Sequence, residues 1–284
     1  MSLLKNGIKG LCLICTVLIA ASFTYAETAR VTSRDGVLIH YVQKGKGDFA
    51  LVFVHGWSCD ATYWQDQMNW FSKTHRVVAL DLAGHGKSGM GRKAYTIDAF
   101  GHDVAAVVDA LKAEAVVLVG HSMGGTVIVN AHKKVSTRVL GLIGADTFQT
   151  NRNFTPEEQE GYLRIFEGDF KSGAQNFVGG MFPETADRAV VNRIVQDISG
   201  APEAVAVSAM RHYLSHDHER EMGDVRTVLM AINSDFWPTD VDALKKAVPG
   251  FTVKLMKGVG HFVAQENSAT FNRLLAECLK ELIR

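Results

Sequence analysis

Residues 116–125 read Val116-Val117-Leu118-Val119-Gly120-His121-Ser122-Met123-Gly124-Gly125. The first four are β-branched or aliphatic, as is typical of a strand that is buried on both faces. A helical pattern follows directly, over Thr126 to His132. The junction has the pattern G-x-S-x-G, which at a sharp strand-to-helix turn holds a serine hydroxyl above the edge of a sheet. The segment therefore predicts an α/β fold in which Ser122 is an accessible nucleophile.

Short apolar runs of strand length recur on both sides of this segment. The N-terminal stretch from Thr28 to Gln43 predicts a hairpin, because Asp35-Gly36 is a strong tight-turn pair between two β-rich runs. The remaining predicted strands are Phe49–Val54, Arg76–Leu80, Ala115–Val119, Val139–Ala145, Val225–Ile232 and Phe251–Met256. Helical patterns lie between them, at Ile97–Leu111 after an N-cap at Thr96, Thr239–Ala247 and Val263–Ile283. Strands that alternate with helices predict a mostly parallel sheet with helices on both faces.

One long stretch interrupts this alternation. Residues 148–223 are rich in helix formers and contain no convincing strand pattern. We expect them to form a helical cap, inserted before the last two strands, over the edge where open α/β sheets bind ligands. Residues 27–147 and 224–284 then form the α/β core.

The N-terminus carries an export pattern. Lys5 and Lys9 precede an apolar run from Leu11 to Phe23, and Thr24-Tyr25-Ala26 supplies the small residues of a cleavage site. This pattern predicts a signal peptide over residues 1–26, and hence a secreted or periplasmic protein with no stable membrane span after cleavage.

Composition and charge exclude some classes of partner. Removing Lys5 and Lys9 from 30 basic residues leaves 28 against 30 acidic residues, so no basic surface for nucleic acid is expected. The expected assembly is a monomer or small homo-oligomer. Cys59 and Cys278 remain after cleavage, in a compartment that permits disulfides; we expect two separate, partly buried thiols, and a disulfide between them is the alternative.

A serine hydroxyl needs a base that removes its proton and an acid that orients the base. His261 follows the last predicted strand, so its loop returns to the sheet edge beside Ser122. Asp235 follows the preceding strand and is the predicted acid, in the chain order Ser, Asp, His. Asp146 ends the strand before that and is the alternative acid.

The negative charge of an acyl-transfer intermediate needs two hydrogen-bond donors. The Met123 backbone N–H follows the nucleophile. The second predicted donor is the backbone N–H of Trp57, in the turn after the strand that ends at Val54.

Four segments together resemble the α/β-hydrolase superfamily, and in particular its branch of esterases and non-haem peroxidases: His55-Gly56-Trp57, Asp81–Ser88, Gly120–Gly125 and Gly260-His261-Phe262. The resemblance covers essentially all of the chain after the signal peptide. It implies two-step acyl transfer on Ser122 with no cofactor. The expected substrate is a small-molecule carboxylic ester of small to medium size.

Other functions are compatible with the same motifs. The same triad serves lactonases, amidases and C–C hydrolases, and fold alone does not separate them. A non-catalytic small-molecule-binding protein on a hydrolase scaffold is an alternative from another class. We expect no metal site, because His212, His216 and His218 lack an accompanying zinc signature.

Overall fold

The computed structural model describes residues 26–135 and 138–283. Within them one eight-stranded sheet is built from β1 (Glu27–Thr32), β2 (Leu38–Lys44), β3 (Phe49–Val54), β4 (Arg76–Leu80), β5 (Ala115–His121), β6 (Val139–Ala145), β7 (Val228–Ser234) and β8 (Thr252–Met256). The strand order is β1-β2-β4-β3-β5-β6-β7-β8. β2 runs in the opposite direction to the other seven strands and pairs antiparallel with β1 and β4, whereas all other pairs are parallel, as the hairpin and the buried apolar runs predicted. Apart from Ala26, the predicted signal peptide lies outside the described residues.

The helices lie on both faces of this sheet. They are α1 (Gln65–Phe71), α2 (Ile97–Leu111), α3 (Met123–Val135), α4 (Pro156–Arg164), α5 (Phe170–Gly179), α6 (Arg188–Ser199), α7 (Glu203–Leu214), α8 (His218–Gly223), α9 (Val241–Ala247), α10 (Val263–Glu266) and α11 (Ser268–Leu282). Thr96 caps α2 as predicted, since its hydroxyl accepts a hydrogen bond from Ala99 N–H. The fold is the α/β-hydrolase fold that the motifs indicated.

Alternate residues of the central strands enter two separate cores. In β3, Val52 and Val54 pack with α2, α3 and the inserted helices, whereas Leu51 and Phe53 pack with α1 and α11. Successive side chains of a strand point to opposite faces, so the two cores lie on opposite sides of the sheet. Cys59 belongs to the first core and Cys278 to the second, and both are free, buried thiols.

The C-terminal helical pattern differs from the single predicted helix. Asn267 separates α10 from α11 with a non-helical backbone, at φ −147° and ψ 75°, and its side chain accepts a hydrogen bond from Thr270 N–H. Asparagine is among the best N-cap residues, so it begins a new helix where apolar periodicity alone predicted continuity.

The five helices α4 to α8 lie between β6 and β7, in the stretch for which the sequence predicted a cap. They contact the C-terminal side of the sheet at several points. The Trp57 indole N–H, for example, donates to Ala206 O in α7 at 2.7 Å. Among the described residues, no helix has both the length and the apolar composition needed to cross a membrane.

Candidate active site

Ser122 occupies a strained turn between β5 and α3. Its φ is +54°, in the left-handed region that is costly for a residue with a side chain. Its N–H donates to Ala145 O at 3.1 Å, and its carbonyl accepts from Gly125 N–H at 2.8 Å. Two close approaches require glycine: a Cβ on Gly120 would lie 2.3 Å from Gly124 O, and one on Gly124 would lie 2.5 Å from His55 O. The surrounding backbone therefore imposes this conformation on the serine.

His261 is paired with a buried carboxylate. It lies in the loop between β8 and α10, and its Nδ1 is 2.6 Å from Asp146 Oδ2. Asp146 directly follows β6, is 1% exposed and has a φ of +45°. Its second oxygen, Oδ1, accepts hydrogen bonds from the N–H and the hydroxyl of Ser234, at 2.7 Å and 2.8 Å. Asp146 is thus held by β7 on one side and holds the imidazole on the other.

This pairing corrects the prediction that Asp235 orients His261. Asp235 is exposed, and its Oδ1 accepts a hydrogen bond from Gly258 N–H at 3.0 Å. The strand β7 extends to Ser234, two residues beyond its predicted end, because its last residues pair with β8, and this places Ser234 where it donates to Asp146. The carboxylate that meets His261 therefore comes from the end of β6, the strand next to the one that carries Ser122.

Ser122 and His261 border the same cavity beneath the inserted helices. The loop of His261 is anchored there, because its N–H donates to Met181 O at 2.9 Å. Trp237 lies edge-on to the imidazole, with the ring centroids 5.5 Å apart. Among the contacts of the described residues, Ser122 Oγ makes no hydrogen bond to His261. Such contacts in ligand-free sites often form only when substrate binds.

The two predicted oxyanion donors flank Ser122. Met123 is the first residue of α3, and the first N–H groups of a helix have no partner within it. The Trp57 N–H likewise donates to no other described residue. The Trp57 ring is fixed by Ala206 and by Phe166, whose ring centroid is 5.1 Å away. Both side chains border the cavity.

Two histidines that the sequence analysis did not assign support this site. His121 Nε2 donates to the backbone carbonyl of His261, with a separation of 3.0 Å, and its ring lies 4.8 Å from that of His261. His55 Nε2 accepts from Leu82 N–H at 3.0 Å, so the turn that carries Trp57 is tied to the loop after β4. Both lie within motifs quoted above, but motif position alone does not show which backbone group each histidine holds.

The buried histidines predict a pH-dependent stability. Burial lowers the pKa of His85 and of His121 to about 3, and positively charged forms of neighbouring histidines oppose their protonation further. In the unfolded chain both would titrate near a pKa of about 6.5. Between these values the unfolded chain binds protons that the folded chain does not, so stability falls as the pH is lowered. We expect these two histidines to lower the free energy of unfolding by about 3 kcal/mol per pH unit between pH 6 and pH 4.

Urea unfolding at pH 7, 6 and 5 measures this slope. In His85→Gln one of the titrating groups is absent, so we expect the slope to fall by about 1.4 kcal/mol per pH unit. Equal free energies of unfolding at pH 7 and pH 5 in the unsubstituted protein would contradict the prediction.

The cavity has a volume of about 650 Å³, within the range of pockets that hold small organic ligands. Its walls are mainly apolar and come from both the sheet edge and the inserted helices. The aromatic lining residues include Phe148, Phe154, Tyr162, Phe177 and Tyr213. Walls that are mainly apolar suit a ligand that is largely apolar.

The histidines of the inserted helices have local partners. His216 pairs with Glu221, His218 Nε2 donates to Tyr213 O at 2.8 Å, and His212 Nδ1 donates to Ser208 O at 2.7 Å. Within the part of the chain that the structure describes, no group of three or more His, Cys, Asp or Glu side chains has an arrangement that could hold a metal ion.

Comparisons with known proteins find relatives among the non-heme chloroperoxidases. A non-heme chloroperoxidase from Kitasatospora aureofaciens is 28% identical over 275 residues, which cover 88% of this chain and 98% of that protein. A non-heme chloroperoxidase from Streptomyces lividans is 41% identical over 97 residues, 34% of this chain and 35% of that protein.

A thermophilic esterase from Thermogutta terrifontis has the same fold. Its structure superposes with a TM-score of 0.80 at 22% identity, over 90% of this chain and 99% of that chain. Residues 51–274 match the model of the alpha/beta hydrolase family. Because the match spans most of the chain and includes Ser122, Asp146 and His261, this protein belongs to the alpha/beta hydrolase family.

Proposed function

We propose that this protein is a serine hydrolase that cleaves a carboxylic ester of small to medium size through an acyl-enzyme on Ser122. The observation that carries the proposal is the pairing of His261 with the buried Asp146 at a cavity that Ser122 also borders. A buried carboxylate on Nδ1 keeps the proton there, which leaves Nε2 free to act as a base.

In the first step His261 Nε2 accepts the hydroxyl proton as Ser122 Oγ attacks the ester carbonyl. The Met123 and Trp57 amides donate to the oxyanion, in a cavity where low polarity strengthens these bonds. The imidazolium is stabilised by Asp146 and gives its proton to the alkoxide oxygen, which leaves as the alcohol. In the second step His261 removes a proton from water, the hydroxide attacks the acyl-enzyme, and Ser122 regains its proton as the acid departs.

The proposal includes export to the periplasm or the medium. It is supported by the basic, apolar and small-residue segments within residues 1–26.

The test uses the mature chain from Glu27 onward with p-nitrophenyl acetate and butyrate and with a fluorophosphonate probe. We expect saturable turnover, and stoichiometric labelling of Ser122 that abolishes it. Lactone, amide and C–C substrates, assayed in parallel, rank the alternative reactions. An intact, folded protein that neither hydrolyses these esters nor reacts with the probe would favour a non-catalytic binding protein instead.

A further inference from the structure

One lobe of the cavity follows the helix that begins at the nucleophile. Ser122 lines it directly before α3, and Thr126 and Val129 line it from one face of that helix, three residues apart. Seven residues of helix rise by about 10 Å, so the lobe extends about that far from Ser122. Thr126 and Val129 are buried, at 7% and 2% exposed, so this lobe leads into the protein.

The Val129 end of this lobe meets α8, because Asn130, the next residue of α3, donates a hydrogen bond to Glu221 of that helix. Met222 and Glu221 line the cavity there, and both are buried. Glu221 is tied to the next turn of α3, because it accepts a hydrogen bond from Asn130 Nδ2 at 3.1 Å and pairs with Lys133. It also pairs with His216. Met222 and Glu221 therefore form the floor of the lobe, and the polar member, Glu221, already has hydrogen-bond and ion-pair partners.

The charge on Glu221 makes the floor a barrier to a longer chain. Although burial opposes ionisation, hydrogen bonds from His216 and Lys133 lower the pKa of Glu221 to about 2. The carboxylate is thus ionised at neutral pH. An alkyl chain that reached beyond Val129 and Met222 would press against this network, and a buried charge that loses its partners is strongly destabilised.

Beside His261, by contrast, lining residues of the cavity reach solvent. Trp237, which packs on the His261 ring, is 37% exposed, and Gly180, next to the Met181 carbonyl that anchors His261, is also exposed. The leaving alcohol must face His261 to receive its proton, and it must depart before water attacks the acyl-enzyme. This side of the cavity therefore suits the alcohol. The lobe along α3 suits the acyl group, which stays attached to Ser122.

We propose that the lobe along α3 is an acyl-binding slot that admits straight apolar chains of up to about eight carbons, the length that spans its extent of about 10 Å. The inference rests on the proposed function, since it assigns the acyl group of that ester. It makes Val129 and Met222 the residues that set the upper limit of acyl length.

The experiment measures kcat/KM of the mature protein for p-nitrophenyl esters from acetate to dodecanoate. For the unsubstituted protein we expect kcat/KM to rise with each methylene up to octanoate and to fall for decanoate and dodecanoate. The larger side chain in Val129→Phe should shorten the slot by the length of about three acyl carbons. Because each buried methylene changes binding about 4-fold, the octanoate-to-acetate ratio of kcat/KM should fall about 50-fold. Val129→Ala enlarges the slot, so its optimum should move to longer chains.

Val207→Phe is the matched control, because Val207 lies on α7 outside this cavity and should leave the ratio unchanged. A second control varies the alcohol by comparing ethyl acetate with octyl acetate. Val129→Phe should not alter the ratio of kcat/KM for these two esters. Fluorophosphonate labelling of Ser122 in each variant reports an intact site.

The slot assignment alone would be overturned if intact variants showed the same dependence of kcat/KM on acyl length as the unsubstituted protein. It would also be overturned if only the alcohol series changed. Absence of both labelling and turnover in the unsubstituted protein would overturn the proposed function instead.

Discussion

Replacement of Ser122 by alanine is expected to lower kcat for p-nitrophenyl butyrate by at least about 10⁵-fold, since without the hydroxyl no acyl-enzyme forms. The residual rate would come from the oxyanion donors and from substrate binding. Alanine has the same Cβ as serine, so the strained backbone at φ +54° and the stability of the fold should change little. The measurement is kcat together with the thermal unfolding midpoint.

Ser58 offers a matched control for this substitution. It has a φ of +56° and a buried hydroxyl with no hydrogen-bond partner among the described residues, so Ser58→Ala makes the same change in nearly the same backbone conformation. We expect its kcat to stay within about threefold of the original, as is usual for a substitution that removes no interaction. Equal losses in the two variants, or turnover retained in Ser122→Ala, would contradict the assignment of the nucleophile.

Replacement of Asp146 by asparagine is expected to lower kcat by about 10⁴-fold without a comparable loss of folding. The two donors of Ser234 would retain the amide oxygen at the position of Oδ1. The amide NH₂ would then face His261 Nδ1, which must become an acceptor. The proton moves to Nε2, and the imidazole can no longer remove a proton from Ser122.

The corresponding change at Asp235 distinguishes the role of this carboxylate from that of Asp146. Asp235→Asn keeps an oxygen for Gly258 N–H and touches no part of the Asp146 and His261 pair, so kcat should stay within about threefold of the original. Measuring kcat/KM for both variants between pH 6 and pH 9 checks the result. A large loss in Asp235→Asn together with a small loss in Asp146→Asn would restore the acid that the sequence predicted.

Local sequence patterns were sufficient to predict most of the fold, because strands, helix caps and tight turns depend on residues that are close together in the chain. Apolar runs identified the strands of the sheet, and Thr96 identified the start of α2. The glycines around Ser122 identified the turn, since the backbone approaches Gly120 and Gly124 too closely for a Cβ. Helix boundaries were less accurate where a cap competed with apolar periodicity, as at Asn267.

The choice between Asp146 and Asp235 could not be made from local patterns. Each carboxylate directly follows a parallel strand, so strand and turn signals at the two positions are equivalent. Their environments differ only after β6 and β7 pair, when Ser234 donates twice to Asp146 and leaves Asp235 in solvent. The same holds for His121, whose partner is a backbone carbonyl 140 residues away in the chain.

The sequence by itself determined the strand-to-helix turn at Ser122, the position of His261 after the last strand and the mostly parallel sheet. Each of these follows from residue type and spacing within a few residues. Only the tertiary structure decided that Asp146 meets His261 and that the lobe along α3 ends at Glu221. Both depend on contacts between segments far apart in the chain, where burial and hydrogen bonding select among side chains that are locally equivalent.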